Sequence, residues 1–193
     1  MLSNKDIVGT ESMKGYLTKS IAKAVADHKV PVSEFTQNYL VSMLSRFIRS
    51  ENIFTRKALD YEVQLESITL RYLQNDSNHF ELQKLADECL FLTGFFYDFI
   101  EKEGISNVNF HCNIGSSAYE NLSSRVKHTG DLYQELANNF RDLSDVIWDL
   151  RLQQGYTDSQ LASLYLKCEN KPDKRYSAVL IANGIFPPKK TES

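Results

Sequence analysis

Any chemistry in this chain has to draw on four histidines (His28, His79, His111 and His128), three cysteines (Cys89, Cys112 and Cys168) and the carboxylates beside its apolar runs. A metal site in a helical protein typically uses Glu-x-x-His pairs, or His and Cys a few residues apart, because those spacings put the ligands on one helix face. No histidine here follows a glutamate by three positions, and the adjacent pair His111 and Cys112 has no further His or Cys within two to five residues. Neither a metal nor a cofactor is expected. A thiol nucleophile needs a base within hydrogen-bond reach, and sequence adjacency alone does not supply one to Cys112. Cys89 lies in an apolar run, where a thiol is an inert packing residue. Gly115-Ser116-Ser117-Ala118 lacks both the glycine spacing and the lysine of a phosphate-binding loop. No catalytic residue is expected.

Ligand contact is the remaining possibility, and its candidates are Asp87, Phe91, Phe95, Asp98, His111 and Tyr119. Asp87, Glu88 and Asp98 flank an aromatic segment. A carboxylate turned into such a segment has to be paired or protonated, and its perturbed ionisation would mark a site. The commoner arrangement leaves Asp87 and Asp98 on a polar rim or capping a neighbouring helix, and that arrangement is expected here. The six aromatics from Phe80 to Phe99 read first as core. The alternative is an apolar pocket walled by Phe91, Phe95, Phe99, Tyr119 and Trp148.

The elements that position these residues follow from composition. Eight glycines and four prolines in 193 residues are about half of average usage, which excludes collagen-like, linker-rich and many-turned β chains. A hydrophobic fraction of 42% against 24% charged residues supplies a core and excludes wholesale disorder. The chain is expected to be all-α, one compact domain of seven or eight helices around a central apolar helix. The domain is placed at 11–186, with a flexible N-terminus (1–10) and a flexible tail (187–193).

Periodicity sets the helices. Leu17, Ile21, Ala24 and Val25 mark one over Ser12–His28, ended by Pro31. Ser33 is an N-cap candidate for the next, where Leu40, Leu44, Phe47 and Ile48 repeat the spacing, Tyr39 and Met43 widen the stripe, and Arg46 falls on the opposite, polar face. A third helix is expected over Thr55–Gln74. From Ser77 to Glu103 a fourth becomes apolar all round and so belongs at the centre. Gly94 within it predicts a close helix crossing. The reading between Ile105 and Cys112 is ambiguous, and a short helix follows over Ile114–Lys127. One long helix is expected from Asp131, with a capping box to Gln134, as far as Gly155. Thr157 with Gln160 opens another helix, and a last one, Asp173–Ala182, ends at Asn183-Gly184.

The charge balance, 22 Lys+Arg against 25 Asp+Glu for a net −3, leaves no positive field for a phosphate backbone, so no nucleic-acid partner is expected. The longest apolar stretch, Cys89–Ile100, contains Asp98 and falls short of the roughly 20 residues a membrane span needs. Three cysteines without a CxxC pair fit a reducing compartment, and the first residues lack the apolar core of a secretory signal. A cytoplasmic location is expected.

Three segments carry a resemblance. They are Leu85-Ala86-Asp87-Glu88-Cys89-Leu90-Phe91-Leu92-Thr93-Gly94-Phe95-Phe96, then Val108-Asn109-Phe110-His111, then Ile114-Gly115-Ser116-Ser117-Ala118-Tyr119 with Phe140 ahead of Val146-Ile147. Over about Pro31 to Pro187 the chain resembles a family of uncharacterised bacterial all-helical proteins. In that family a Gly-Asp-x-x-Leu-Phe-x-x-Gly-Phe-Phe segment precedes a Tyr-Tyr-x-x-Met-Gly-x-x-Ala-Tyr segment. Here Ala86 replaces the first glycine, Phe110-His111 the tyrosine pair and Ile114 the methionine. The resemblance implies a bacterial, cytoplasmic, all-α protein and no particular activity. It singles out Asp87, Gly94, Gly115 and Tyr119 as one junction, where two helices meet at glycines and an aspartate bonds across. Amphipathic helices without catalytic spacing point to a non-enzymatic interaction or regulatory module whose partner is another protein or a second copy. The alternative is a helical pocket protein for an apolar or aromatic small molecule.

Overall fold

A computed structural model of the chain describes residues 4–49, 69–70, 72–73, 77–97, 100, 108–152, 156–170 and 172–188. Among the described residues the protein is all-α and contains eight helices: α1 (Asn4–Asp27), α2 (Glu34–Arg49), α3 (His79–Phe95), α4 (Val108–Arg125), α5 (Gly130–Asn138), α6 (Phe140–Leu152), α7 (Asp158–Asn170) and α8 (Lys174–Ala182). The helix expected over Thr55–Gln74 lies outside the described residues except at 69–70 and 72–73, which are helical. The chain packs as two compact units, Met1–Trp148 and Asp149–Ser193.

In the first unit α3 is the central helix that its all-round apolarity predicts, with Leu82 and every residue from Leu85 to Phe95 buried. Its start is set by a reciprocal cap: Asn78 Oδ1 accepts the Glu81 N–H at 3.0 Å, and Glu81 Oε2 accepts the Asn78 N–H at 3.1 Å. That pair satisfies two of the donors a helix start leaves without intrahelical partners. α3 packs chiefly against α4, and α4 in turn against α5, while α1 lies on α2. The segment with the ambiguous reading is helical from Val108, so α4 begins six residues before the Ile114 expected from spacing. α1 likewise begins at Asn4 rather than Ser12.

Ser33 caps α2 as expected, its Oγ accepting the Thr36 N–H at 3.2 Å. A carboxylate from α5 completes that cap. Glu135 Oε2 accepts from the Ser33 N–H (2.8 Å), Ser33 Oγ (2.9 Å) and Thr36 Oγ1 (2.7 Å). Burial raises this carboxyl, but the donors outweigh it and the net shift is downward. The start of α2 is thereby tied to α5.

The single long helix expected from Asp131 to Gly155 is instead two. Asn139 separates α5 from α6 with φ −108° and ψ 18°; its backbone N–H keeps the bond to the Glu135 carbonyl at 3.1 Å, and its side-chain amide adds a second at 2.9 Å. The expected Asp131–Gln134 box is not formed: α5 is preceded by Thr129, and the Gln134 amide bonds Asn138 and Ser123.

Gly94 is a close crossing, as expected. A β-carbon there would lie 2.6 Å from Ile147 Cβ and Cγ2 and 3.1 Å from the Ser144 carbonyl oxygen, on α6. A β-carbon at Gly115 would overlap the Phe140 ring and lie 2.7 Å from Cys89 Cβ, on α3. Gly115 lies at the α3–α4 crossing, which the Asp87–Tyr119 bond also spans, with the Phe140 ring of α6 against it; Gly94 instead faces α6.

In the second unit, Thr157 and Gln160 form their expected box, with Gln160 Oε1 accepting the Thr157 N–H at 2.8 Å. Asp173 caps α8 through the Arg175 N–H at 2.7 Å. The last helix closes at Asn183, with Gly184 at φ +75° in the left-handed region. The Ile185 N–H reaches back to the Leu180 carbonyl at 2.8 Å, a Schellman-type ending.

Candidate functional site

Asp87 sits midway along α3 and is 3% exposed, so it is not on the polar rim where its type would place it. What permits its burial is a set of three donors. Tyr39 Oη of α2 (2.6 Å) and Tyr119 Oη of α4 (2.7 Å) both donate to Oδ1, and Arg46 of α2 donates to Oδ2 at 2.8 Å. Gln83, one turn before Asp87, donates its amide to Tyr39 Oη at 3.0 Å. Three helices converge on one carboxylate, which the structure makes a clasp. Burial pushes the Asp87 carboxyl above its usual range, and the three donors pull it part of the way back. Burial and the neighbouring carboxylate hold the Tyr39 and Tyr119 phenols far above theirs.

Aromatic rings brace the clasp on both sides. Tyr119 stacks on Tyr133 at 6.0 Å, and Tyr133 meets Tyr39 edge-on at 6.2 Å. On the other side Phe47 of α2 stacks on Phe91 at 4.5 Å, and Phe91 on Phe95 at 5.2 Å. Such pairs contribute about 0.5–1.5 kcal/mol each beyond area burial. Of these, the Phe47–Phe91 stack joins α2 to α3.

Beside the clasp, α2 and α3 enclose an open cleft of about 310 Å³ lined by Arg46, Phe47, Phe80, Gln83, Lys84, Asp87 and Glu88. The α3 residues recur at offsets 0, 3, 4, 7 and 8, one face of a helix. Phe80 is 74% exposed at its mouth. Glu88 is the opposite case. Its side chain is only 7% exposed, Oε1 lies 3.9 Å from Lys84 Nζ, and Oε2 has no hydrogen-bond partner. Burial pushes the Glu88 carboxyl up to about 7, with Lys84 lowering it and Asp87 raising it further.

That shift fixes a sign for stability. The native state holds the Glu88 proton up to about pH 7, whereas the unfolded chain releases it near 4.5, so the native state binds the extra proton between those values. The contribution is full below about pH 4.5, falls by about 3 kcal/mol as pH rises to 7, and is gone above it. Glu88→Gln keeps the shape and removes the titration. Its stability relative to the native sequence is expected to climb from pH 4.5 to 7.5 in urea unfolding. Parallel stability–pH curves would refute a raised Glu88.

Of the residues singled out from sequence, Asp87 and Tyr119 are hydrogen-bonded to each other, and Asp87 reaches the cleft wall. Phe91 and Phe95 are buried in the ring stack and do not line that cleft; its aromatic residues are Phe47 and Phe80. His111 is buried on α4, which lowers its basicity, against the Phe110 ring at 5.6 Å. Trp148 is buried edge-on to Tyr97. Asp98 and Phe99 lie outside the described residues. Arg46 is not confined to an outer polar face: its side chain is 62% exposed, yet the guanidinium end turns onto Asp87. Tyr39, Arg46, Gln83, Lys84 and Glu88 were not among the candidates. The signal that could have found them is spacing, since Tyr39 and Arg46 are two helical turns apart at the edge of an apolar stripe.

Among the described residues no cluster of three His, Cys, Asp or Glu side chains could hold a metal ion, and no helix is long and apolar enough to cross a membrane. Burial pushes the Cys89 thiol far up, the opposite of what a nucleophile needs. Fold and site together define an all-α protein with a tyrosine–arginine clasp on a buried aspartate and an amphipathic cleft beside it. No family model, curated protein or solved structure matches the chain.

Proposed function

We propose that the protein is a non-enzymatic interaction module, and that the cleft between α2 and α3 is where a partner protein docks. The observation that carries this reading is Phe80, a large apolar side chain 74% exposed at the mouth of a cleft whose opposite wall is held by the clasp. A rigid wall beside an accessible aromatic ring lowers the cost of ordering the interface on association. Asp87 serves to hold that wall, because its donors all come from within the fold. The three buried thiols suit the reducing, cytoplasmic setting that belongs to the same reading. The resemblance to uncharacterised bacterial helical proteins supports a bacterial origin and adds no chemistry.

Photo-crosslinking tests the docking site. With benzoylphenylalanine in place of Phe80, irradiation in lysate is expected to give discrete polypeptide adducts. Excess native protein should compete for them, and the Phe80→Ala variant should compete poorly. The same label at Phe186, 87% exposed in the other unit, should not reproduce the pattern. Adducts of small-molecule mass alone, or equal competition by both proteins, would overturn the reading.

A further inference from the structure

Glu88 stands between two surroundings. It borders the α2–α3 cleft, yet its side chain is only 7% exposed, Oε2 is closed to solvent without a hydrogen-bond partner, and Oε1 stops 3.9 Å from Lys84 Nζ, beyond hydrogen-bond reach. Asp87, the preceding residue, shows what a buried carboxylate takes in this fold: three donors, one of them charged. Glu88 has no such set, so its buried position suits the neutral acid and not the anion. Among the described residues the charged groups around it are Lys84 and Asp87 on α3 and Arg46 on α2, and Arg46 is already bonded to Asp87 at 2.8 Å. α4 turns Tyr119 to Asp87 and sets Cys112 near Cys89, so neither answers Glu88.

We propose that Glu88 is a proton-controlled latch on the cleft: as the neutral acid it lies folded into the α2–α3 wall, and on losing its proton it rotates into the cleft, where water and the Lys84 ammonium solvate the anion. The cleft has the room, about 310 Å³, and the Lys84 side chain is itself 44% exposed. An anion that stayed in place would keep one oxygen buried without a donor, whereas rotation about the side-chain bonds restores its hydration. Burial sets the working range, since it holds the proton up to about pH 7. The rotated carboxylate brings a hydrated charge to a cleft lined by Phe47 and Phe80, which opposes entry of an apolar side chain. The latch stands on the geometry of the wall; its effect on binding rests on the docking reading and adds the regulation of that site.

The test is an NMR titration of the isolated protein, labelled with carbon-13 glutamate, from about pH 5 to 9. The Glu88 Cδ shift reports ionisation, and the three-bond couplings along its side chain report χ1 and χ2. Both are expected to change together with a midpoint near 7. The Phe80 ring resonances should follow in the native protein and not in Glu88→Gln, whose folding circular dichroism confirms. Ionisation near 7 with unchanged couplings would overturn the latch, because the anion then stays where the acid was. Ionisation near 4.5, the ordinary value, would overturn it as well. Crosslinking through Phe80 is expected to fall between pH 6 and 8 in the native background and to hold in Glu88→Gln; an equal fall in both would overturn control of docking by Glu88. Absence of crosslinks at every pH would remove the docking reading and leave the rotation standing, whereas unchanged couplings would remove the latch and leave docking standing.

Discussion

Asp87→Ala is expected to destabilise the protein by about 2–4 kcal/mol, because it leaves the Tyr119 and Tyr39 hydroxyls without their acceptor. Tyr119 is fully buried, so water cannot replace the carboxylate there without repacking. The Arg46 arm contributes less than its 2.8 Å distance suggests, since 62% of its side chain is exposed and solvent screens the pair. Removing the carboxylate also removes the cost of burying it, and that offset keeps the figure below a simple sum of three bonds. Asp87→Asn separates these parts. Its side-chain oxygen can still accept from both tyrosines, while its amide faces the Arg46 guanidinium donor to donor. About half the loss is expected to return. Urea unfolding measures both variants, and a loss under about 1 kcal/mol for Asp87→Ala would show that the clasp is not what holds α2 and α4 on α3.

Gly115→Ala is expected to cost a further, independent amount of about 2–4 kcal/mol, even though alanine is favoured over glycine in a helix by about 1 kcal/mol. The new methyl would overlap the Phe140 ring and lie 2.7 Å from Cys89 Cβ. The ring can tilt, but Cys89 Cβ is one bond from the α3 backbone and moves only if the helix does. Gly94→Ala meets the same obstacle at Ile147 Cβ, 2.6 Å away on α6. Gly15, on α1, has nothing within 4 Å of its would-be β-carbon. Gly15→Ala should therefore stabilise by up to about 1 kcal/mol, on propensity alone. Thermal unfolding of the three variants side by side reads the contrast. Equal shifts would mean that backbone propensity, not interhelix contact, decides all three.

Much of the local structure was legible in the residues themselves. Ser33, Thr157 and Asp173 announce helix starts because a short polar side chain before an apolar repeat satisfies backbone donors in its own immediate neighbourhood. The all-round apolarity of Leu90 to Phe95 announces a central helix, and Gly94 a close crossing, for the same kind of reason. The break at Asn139 was not legible, since the apolar repeat from Leu136 to Leu150 continues across it and the backbone leaves helical angles at that residue alone. The residue's own setting did not give the direction of Asp87, although the resemblance set it with Tyr119 at a helix junction where an aspartate bonds across. An aspartate beside an apolar run reads as a rim residue until Tyr39, Arg46 and Tyr119 are known to reach it, and these lie 48, 41 and 32 positions away.

The sequence by itself therefore determined the class of the fold, the order of most helices, the caps at Ser33 and Thr157 and the helix at the centre. Those properties depend on interactions a few residues long. Only the tertiary structure decided that Asp87 is a three-donor clasp, that Gly94 faces α6 while Gly115 meets both α3 and α6, and that Glu88 Oε2 is buried without a hydrogen-bond partner. Each of those outcomes depends on the distance between helices remote in sequence, and no local pattern encodes that distance.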